Sequence, residues 1–134
     1  MKKQINILIA DDNQIMRQSL KLLISEMENA VLTGEATNGE DAIALAAKLL
    51  PDVILMDVNM SPVNGFEATR KILIETPDAK IIGVSLHQRP LYTRNMLSLG
   101  AKGYVAKSAP HQEVIEAINT VASGGKYVSK DIEE

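Results

Sequence analysis

Cysteine is absent from these 134 residues, and aromatic side chains make up only 3% of them. Without cysteine there can be no disulfides and no thiolate metal sites, a composition that fits a reducing compartment. The two histidines are too few for an ordinary zinc site. With so few rings, the core must be built mainly from Ile, Leu, Val, Ala and Met, and the six methionines read as core filling. No apolar run reaches membrane-spanning length, and no charged-then-apolar leader with a cleavage site is present, so no membrane association and a cytoplasmic location are expected. The 14 Lys and Arg residues form no block, and the net charge is −3. Gripping nucleic acid needs clustered basic side chains to neutralise phosphates, so these residues are not expected to hold DNA by themselves.

What is present is a regular alternation of apolar runs and amphipathic stretches. At 46% hydrophobic content and this length, the chain suits one globular domain. Residues 5–10 and 53–56 read as strands buried on both faces, because they are continuously apolar rather than alternating. Residues 31–36, 80–84 and 103–106 read as further strands. Helices are predicted from Asn13 to about Glu28, from Asn38 to about Leu49, from Gly65 through Leu73, over about Leu91 to Leu99, and from His111 to Ser123. Asn13 and Asn38 are placed as N-caps, Pro51 as a stop, and Gly100 and Gly124-Gly125 as helix ends. Five strands alternating with five helices imply an α/β fold, a parallel sheet covered on both faces by right-handed crossovers. Ligands in such sheets sit beyond the carboxyl ends of the strands.

The polar residues at those strand ends form a set. The first strand ends in Asp11 and Asp12, the third in Asp57, the fourth in Ser85, and the fifth just before Lys107. A carboxylate closing a buried strand is costly unless that end opens onto a polar site. Three clustered carboxylates repel and raise one another's pKa unless a cation offsets them, and an all-oxygen donor set with room for waters suits Mg²⁺. Mg²⁺ and Lys107 together would balance the three acids, leaving a site able to accept a phosphoryl group. Asp57 is then the candidate nucleophile, with metal and Lys107 offsetting charge on the transferring oxygens.

These residues, with the segments Ile54-Leu55-Met56-Asp57 and Asn64-Gly65-Phe66-Glu67-Ala68-Thr69, resemble the receiver domain of bacterial two-component response regulators from about Ile5 to Gly125. The resemblance implies a flavodoxin-like (βα)5 fold with strand order 2-1-3-4-5 and phosphorylation of Asp57 by a sensor histidine kinase. It implies Mg²⁺ held by Asp12, Asp57 and the backbone carbonyl of Asn59, with Asp11 assisting. It also makes Ser85 and Tyr104 the switch pair, and places Asn59 and His87 beside the phosphoryl group. The chain would be a signalling module that assists its own phosphorylation and dephosphorylation rather than an enzyme.

The stretch Gly100 to Lys107, followed by a helix and Gly124-Gly125-Lys126-Tyr127-Val128-Ser129, is similar to regulators of the NarL/LuxR-type transcription factor group. By that similarity residues 1–125 form the receiver, and 126–134 begin a linker to a helix-turn-helix DNA-binding domain that these residues do not encode. Homodimerisation on phosphorylation and DNA contact through that domain are implied. Two departures stand out. Ser61 followed by Pro62 replaces a proline four residues after Asp57, and Leu86 replaces a small residue beside Ser85, where its bulk is expected to narrow access to Asp57. Two other readings remain at this point: an interaction module that is never phosphorylated, and a phosphatase of the haloacid dehalogenase type. The latter wants a second aspartate where Asn59 stands, because general acid catalysis needs a protonatable group there.

Overall fold

The apolar runs do become the buried strands of one sheet. The computed structural model describes residues 4–86 and 90–129. In chain order the elements are β1 (Ile5–Ala10), α1 (Gln14–Ser25), β2 (Ala30–Ala36), α2 (Gly39–Leu49), β3 (Val53–Asp57), α3 (Gly65–Glu75), β4 (Ile81–Ser85), α4 (Pro90–Leu99), β5 (Gly103–Ala106), α5 (His111–Ala122) and β6 (Tyr127–Val128). The sheet order is β2-β1-β3-β4-β5-β6, and all pairings are parallel. The expected order of the first five strands is therefore observed. The sixth is an addition: Tyr127–Val128, within the stretch read as the start of a linker, pairs with Gly103 and Tyr104.

Each face of the sheet carries its own apolar layer. On one, Leu20, Leu23 and Ile24 of α1 and Val114, Ile118 and Val121 of α5 pack on Ile7, Ile9, Leu55, Val84 and Val105. On the other, Ala42 and Ala46 of α2, Ala68 and Ile72 of α3 and Met96 of α4 pack on Leu8, Ile54, Met56, Ile81 and Tyr104. Successive strand residues point to opposite faces, so a doubly covered strand must be apolar at every position. The small residues of α2 let it lie close to the sheet.

The helix starts follow local chemistry. Asn13 Oδ1 accepts from the Met16 N–H at 2.9 Å and Asn38 Oδ1 from the Asp41 N–H at 2.8 Å, each satisfying one of the donors a helix N-terminus leaves open. Asn64 does the same for α3 through the Glu67 N–H. The first helix stops earlier than its apolar pattern suggests. The Glu26 N–H bonds to the carbonyls of both Leu22 and Leu23, a tightened last turn that ends α1 at Ser25 rather than Glu28. Ile15 and Leu22, apolar residues seven apart in this region, are exposed. No described helix is long and apolar enough to cross a membrane.

Candidate functional site

The strand order sets β1 and β3 side by side, so the carboxylates that end them converge. Asp11 and Asp57 are buried, Asp12 is exposed, and one oxygen from each lies within 4.8 Å of the others. An octahedral magnesium ion holds opposite oxygens about 4.2 Å apart, because each ligand sits at about 2.1 Å. The three carboxylates are thus nearly at the required span. The donor set is all oxygen, as Mg²⁺ prefers, and the residues fit it.

Lys107 follows β5 and reaches across the sheet edge. Its Nζ lies 3.0 Å from Asp11 Oδ2 and 3.3 Å from Asp57 Oδ2. Apart from this ammonium, Asp11 Oδ2 has no partner among the described residues, so Lys107 and any bound cation are what offset its charge. The other oxygens are fixed by backbone. Asp11 Oδ1 accepts from the Asn13 N–H at 2.8 Å and Asp57 Oδ1 from the Asn59 N–H at 3.0 Å, so each acid caps the turn that follows its strand. Burial, reinforced by the neighbouring Asp11 charge, lifts the Asp57 carboxyl to about 6, although the Asn59 N–H and Lys107 both pull it down.

The hydroxyl and the aromatic ring sit across from this cluster. Ser85 closes β4, is fully buried, and its Oγ donates to Asn59 Oδ1 at 3.4 Å. Tyr104 is fully buried in the sheet, and burial holds its phenol above the ordinary range while the Ser85 hydroxyl draws it partly back. The ring occupies space that Gly83 leaves open. A Cβ on Gly83 would lie 2.9 Å from Tyr104 Cδ2 and 3.1 Å from Met96 Cε. Gly83→Ala is therefore expected to push the ring outward and to cost about 1–3 kcal/mol of stability. An NMR titration of Tyr104 checks this. Its phenol should fall toward the ordinary 10.0 in the variant, and an unchanged titration would show that Met96 moved instead.

The structure thus brings together Asp11, Asp12, Asp57, Asn59, Ser85 and Lys107, with Tyr104 behind Ser85. His87 lies outside the described residues. The Ser61–Pro62 peptide bond is cis. Leu86 is the residue whose bulk was expected to narrow access to Asp57. It is 71% exposed and lines a groove of about 310 Å³ with Asn13, Ile15, Met16, Ser19, Lys107 and Ser108.

Two contributors were not read from the sequence. Arg17 Nη1 donates to the Asp11 carbonyl at 2.8 Å while its Nε faces Glu35 at 3.4 Å, bracing the loop after β1. Gly65 lets α3 start against the end of β3, since a Cβ there would fall 2.3 Å from the Asp57 carbonyl oxygen. Arg17 gives no signal of this contact, because it looks like any cation on a helix surface. Gly65 was legible only as a helix opener.

Comparisons with known proteins identify the family to which the whole chain is similar. The model of the response regulator receiver domain matches residues 7–119. Among curated proteins, the transcriptional regulatory protein DegU of Brevibacillus brevis is 39% identical over 95% of this chain and 54% of its own length. The response regulator UvrY of Escherichia coli is 38% identical over 96% of this chain and 59% of its own. The chain therefore spans little more than half the length of these relatives. Among solved structures, a LuxR-family two-component response regulator from Aurantimonas superposes with a TM-score of 0.94 at 30% identity, covering 97% of this chain and 93% of that one.

Proposed function

Because this chain belongs to the response regulator receiver domain family, we propose that it works as a phosphorylation-activated switch with Asp57 as the acceptor. The observation that carries this reading is the shared ion pair: one ammonium, Lys107, lies against both Asp11 and Asp57, with Asp12 beside them. An Asp57 carboxylate oxygen attacks the phosphorus of a phosphohistidine on a sensor kinase. The new O–P bond forms as the P–N bond breaks, and imidazole leaves. Lys107 lies where it offsets negative charge on the transferring oxygens, and Ser85 can turn its hydroxyl from Asn59 toward the new phosphoryl group. Asp11, Asp12, Asp57 and the Asn59 carbonyl would hold Mg²⁺, which when bound supplies a further positive charge for the phosphoryl oxygens.

The groove beside Lys107, with exposed Ile15 and Leu86 on its walls, supports docking of the kinase there. Phosphorylation would shift an existing equilibrium around Ser85 and Tyr104 rather than create a new fold. The similarity to a transcriptional regulator supports an output on transcription, through dimerisation and an attached DNA-binding domain. Asn59 carries no titratable proton where a phosphatase would need its general acid, which argues against that alternative.

Acetyl phosphate with Mg²⁺ provides the test. A single phosphoryl group is expected, acid-stable and base-labile, mapping to Asp57, and it should fail to form when Mg²⁺ is chelated beforehand. A stable adduct on any other residue, or none at all, would sink the proposal.

A further inference from the structure

Downstream of α5 the chain doubles back onto the free edge of β5, and several independent features hold it there. Gly124, at φ +99°, takes the left-handed turn, and the Gly125 N–H bonds back to the Thr120 carbonyl at 2.9 Å. Gly103 on β5 lacks the side chain that would crowd the returning backbone, since a Cβ there would sit 3.0 Å from the Tyr127 carbonyl oxygen. Two ladder bonds follow, from the Tyr127 N–H to the Lys102 carbonyl at 3.1 Å and from the Ser129 N–H to the Tyr104 carbonyl at 2.8 Å. A two-residue strand on a sheet edge is weak by itself. It is secured by side chains: the Glu113 carboxylate accepts from Tyr127 Oη at 3.1 Å and from Ser129 Oγ at 2.6 Å.

Glu113 also lies in the first turn of α5, where an acid favours the helix dipole. That role would not require two hydroxyls from another segment to converge on it. Nor would it leave Ser129, a polar residue, only 1% exposed. Burial and the Glu113 carboxylate push the Tyr127 phenol up to about 12, which keeps it a donor throughout the physiological range.

We propose that residues 127–129 form a latch that reports the state of the acidic site. Ser129 is bonded to two different elements, to α5 through Glu113 and to β5 through the carbonyl of Tyr104. It therefore gauges the spacing between them at the residue whose ring sits behind Ser85. A set of contacts satisfied in one arrangement loosens in any other, so movement of Tyr104 is transmitted to the latch without any element running between the two. The coupling rests on the proposed phosphorylation of Asp57; the latch itself does not. By linkage the effect is reciprocal, and an opened latch alters occupancy of the acidic site in turn.

Amide hydrogen exchange resolved at Tyr127 and Ser129 tests this, with beryllofluoride and Mg²⁺ as the phosphoryl mimic and ¹⁹F NMR to establish that the adduct forms. Exchange at both amides should speed up at least threefold in the adduct. Unchanged or slower exchange in a formed adduct overturns the coupling. If no adduct forms, the phosphorylation reading fails and the coupling falls with it. Glu113→Ala and Ser129→Ala then judge the latch separately. Each should raise exchange at residues 127–129 while β1 and β3 keep their protection, and full protection in both variants overturns the latch.

Discussion

Asp57→Asn is expected to abolish phosphoryl acceptance and, at the same time, to make the metal-free protein more stable at neutral pH. The first effect follows from removing the proposed nucleophile. The second follows from the cost of its burial. The folded protein raises this carboxyl from 3.8 to about 6, so between those values it binds a proton more tightly than the unfolded chain does. The stability that goes with the protonated form is present in acid and is lost as pH rises through about 4 to 6. At 1.36 kcal/mol per pKa unit this amounts to about 3 kcal/mol at most. Asparagine keeps the acceptor for the Asn59 N–H and carries no charge to desolvate, while Lys107 retains Asp11 as its partner. A gain of about 1–3 kcal/mol at pH 7.5, shrinking toward pH 4, should appear in urea denaturation of the two proteins in EDTA. Saturating Mg²⁺ should narrow the gap by stabilising the wild type, by about 2.7 kcal/mol at a hundredfold excess over Kd. A variant less stable than wild type at pH 7.5 without metal would refute the account of the site's electrostatics.

Gly65→Ala should be the most damaging small substitution near the site. The added Cβ would meet the Asp57 carbonyl oxygen at 2.3 Å and Val58 Cα at 2.5 Å, and backbone cannot swing aside as a side chain can. The N-terminus of α3 must then lift from the end of β3, breaking the bond from the Gly65 N–H to the Val58 carbonyl. A loss of about 3 kcal/mol or more is expected, at the upper end for overpacking. The turn that carries Asn59 should shift with it, so Mg²⁺ affinity measured by calorimetry should fall in whatever fraction remains folded. Wild-type stability in Gly65→Ala would mean that the loop yields far more readily than its packing implies.

Much of this site could be read from the sequence, and the reason is geometric. Asp11, Asp57, Ser85 and Lys107 each stand at the end of an apolar run, and parallel strands carry all their C-terminal ends to one edge. Strand recognition therefore located the site before any side chain was placed. The N-caps Asn13 and Asn38 were legible for a similar reason, since the capping bond spans only three residues. What escaped depends on contacts between distant segments. Arg17 meets Asp11 through a carbonyl, which no residue pattern encodes. The exposure of Leu86 depends on how the chain leaves β4, which its size alone does not reveal. Strand β6 is two residues behind a double glycine, too short for any periodicity, and it exists because Gly103, Tyr104 and Glu113 receive it. Ile15 and Leu22 look like core residues of α1, but the face they share turns away from the sheet.

The two apolar layers treat neighbouring strands differently. Along β3 every residue from Val53 to Met56 fills a place in one layer or the other, so the strand bearing Asp57 is clamped from both sides. Along β4 one place is vacant at Gly83, and a ring borrowed from β5 plugs it. In mechanical terms Asp57 rests on an anvil, and the room for movement lies one strand away, at Gly83. A ring can be withdrawn from its socket and returned, whereas a strand packed at every position cannot yield without unfolding. A change at the acidic edge therefore meets less resistance toward the Tyr104 socket than along β3.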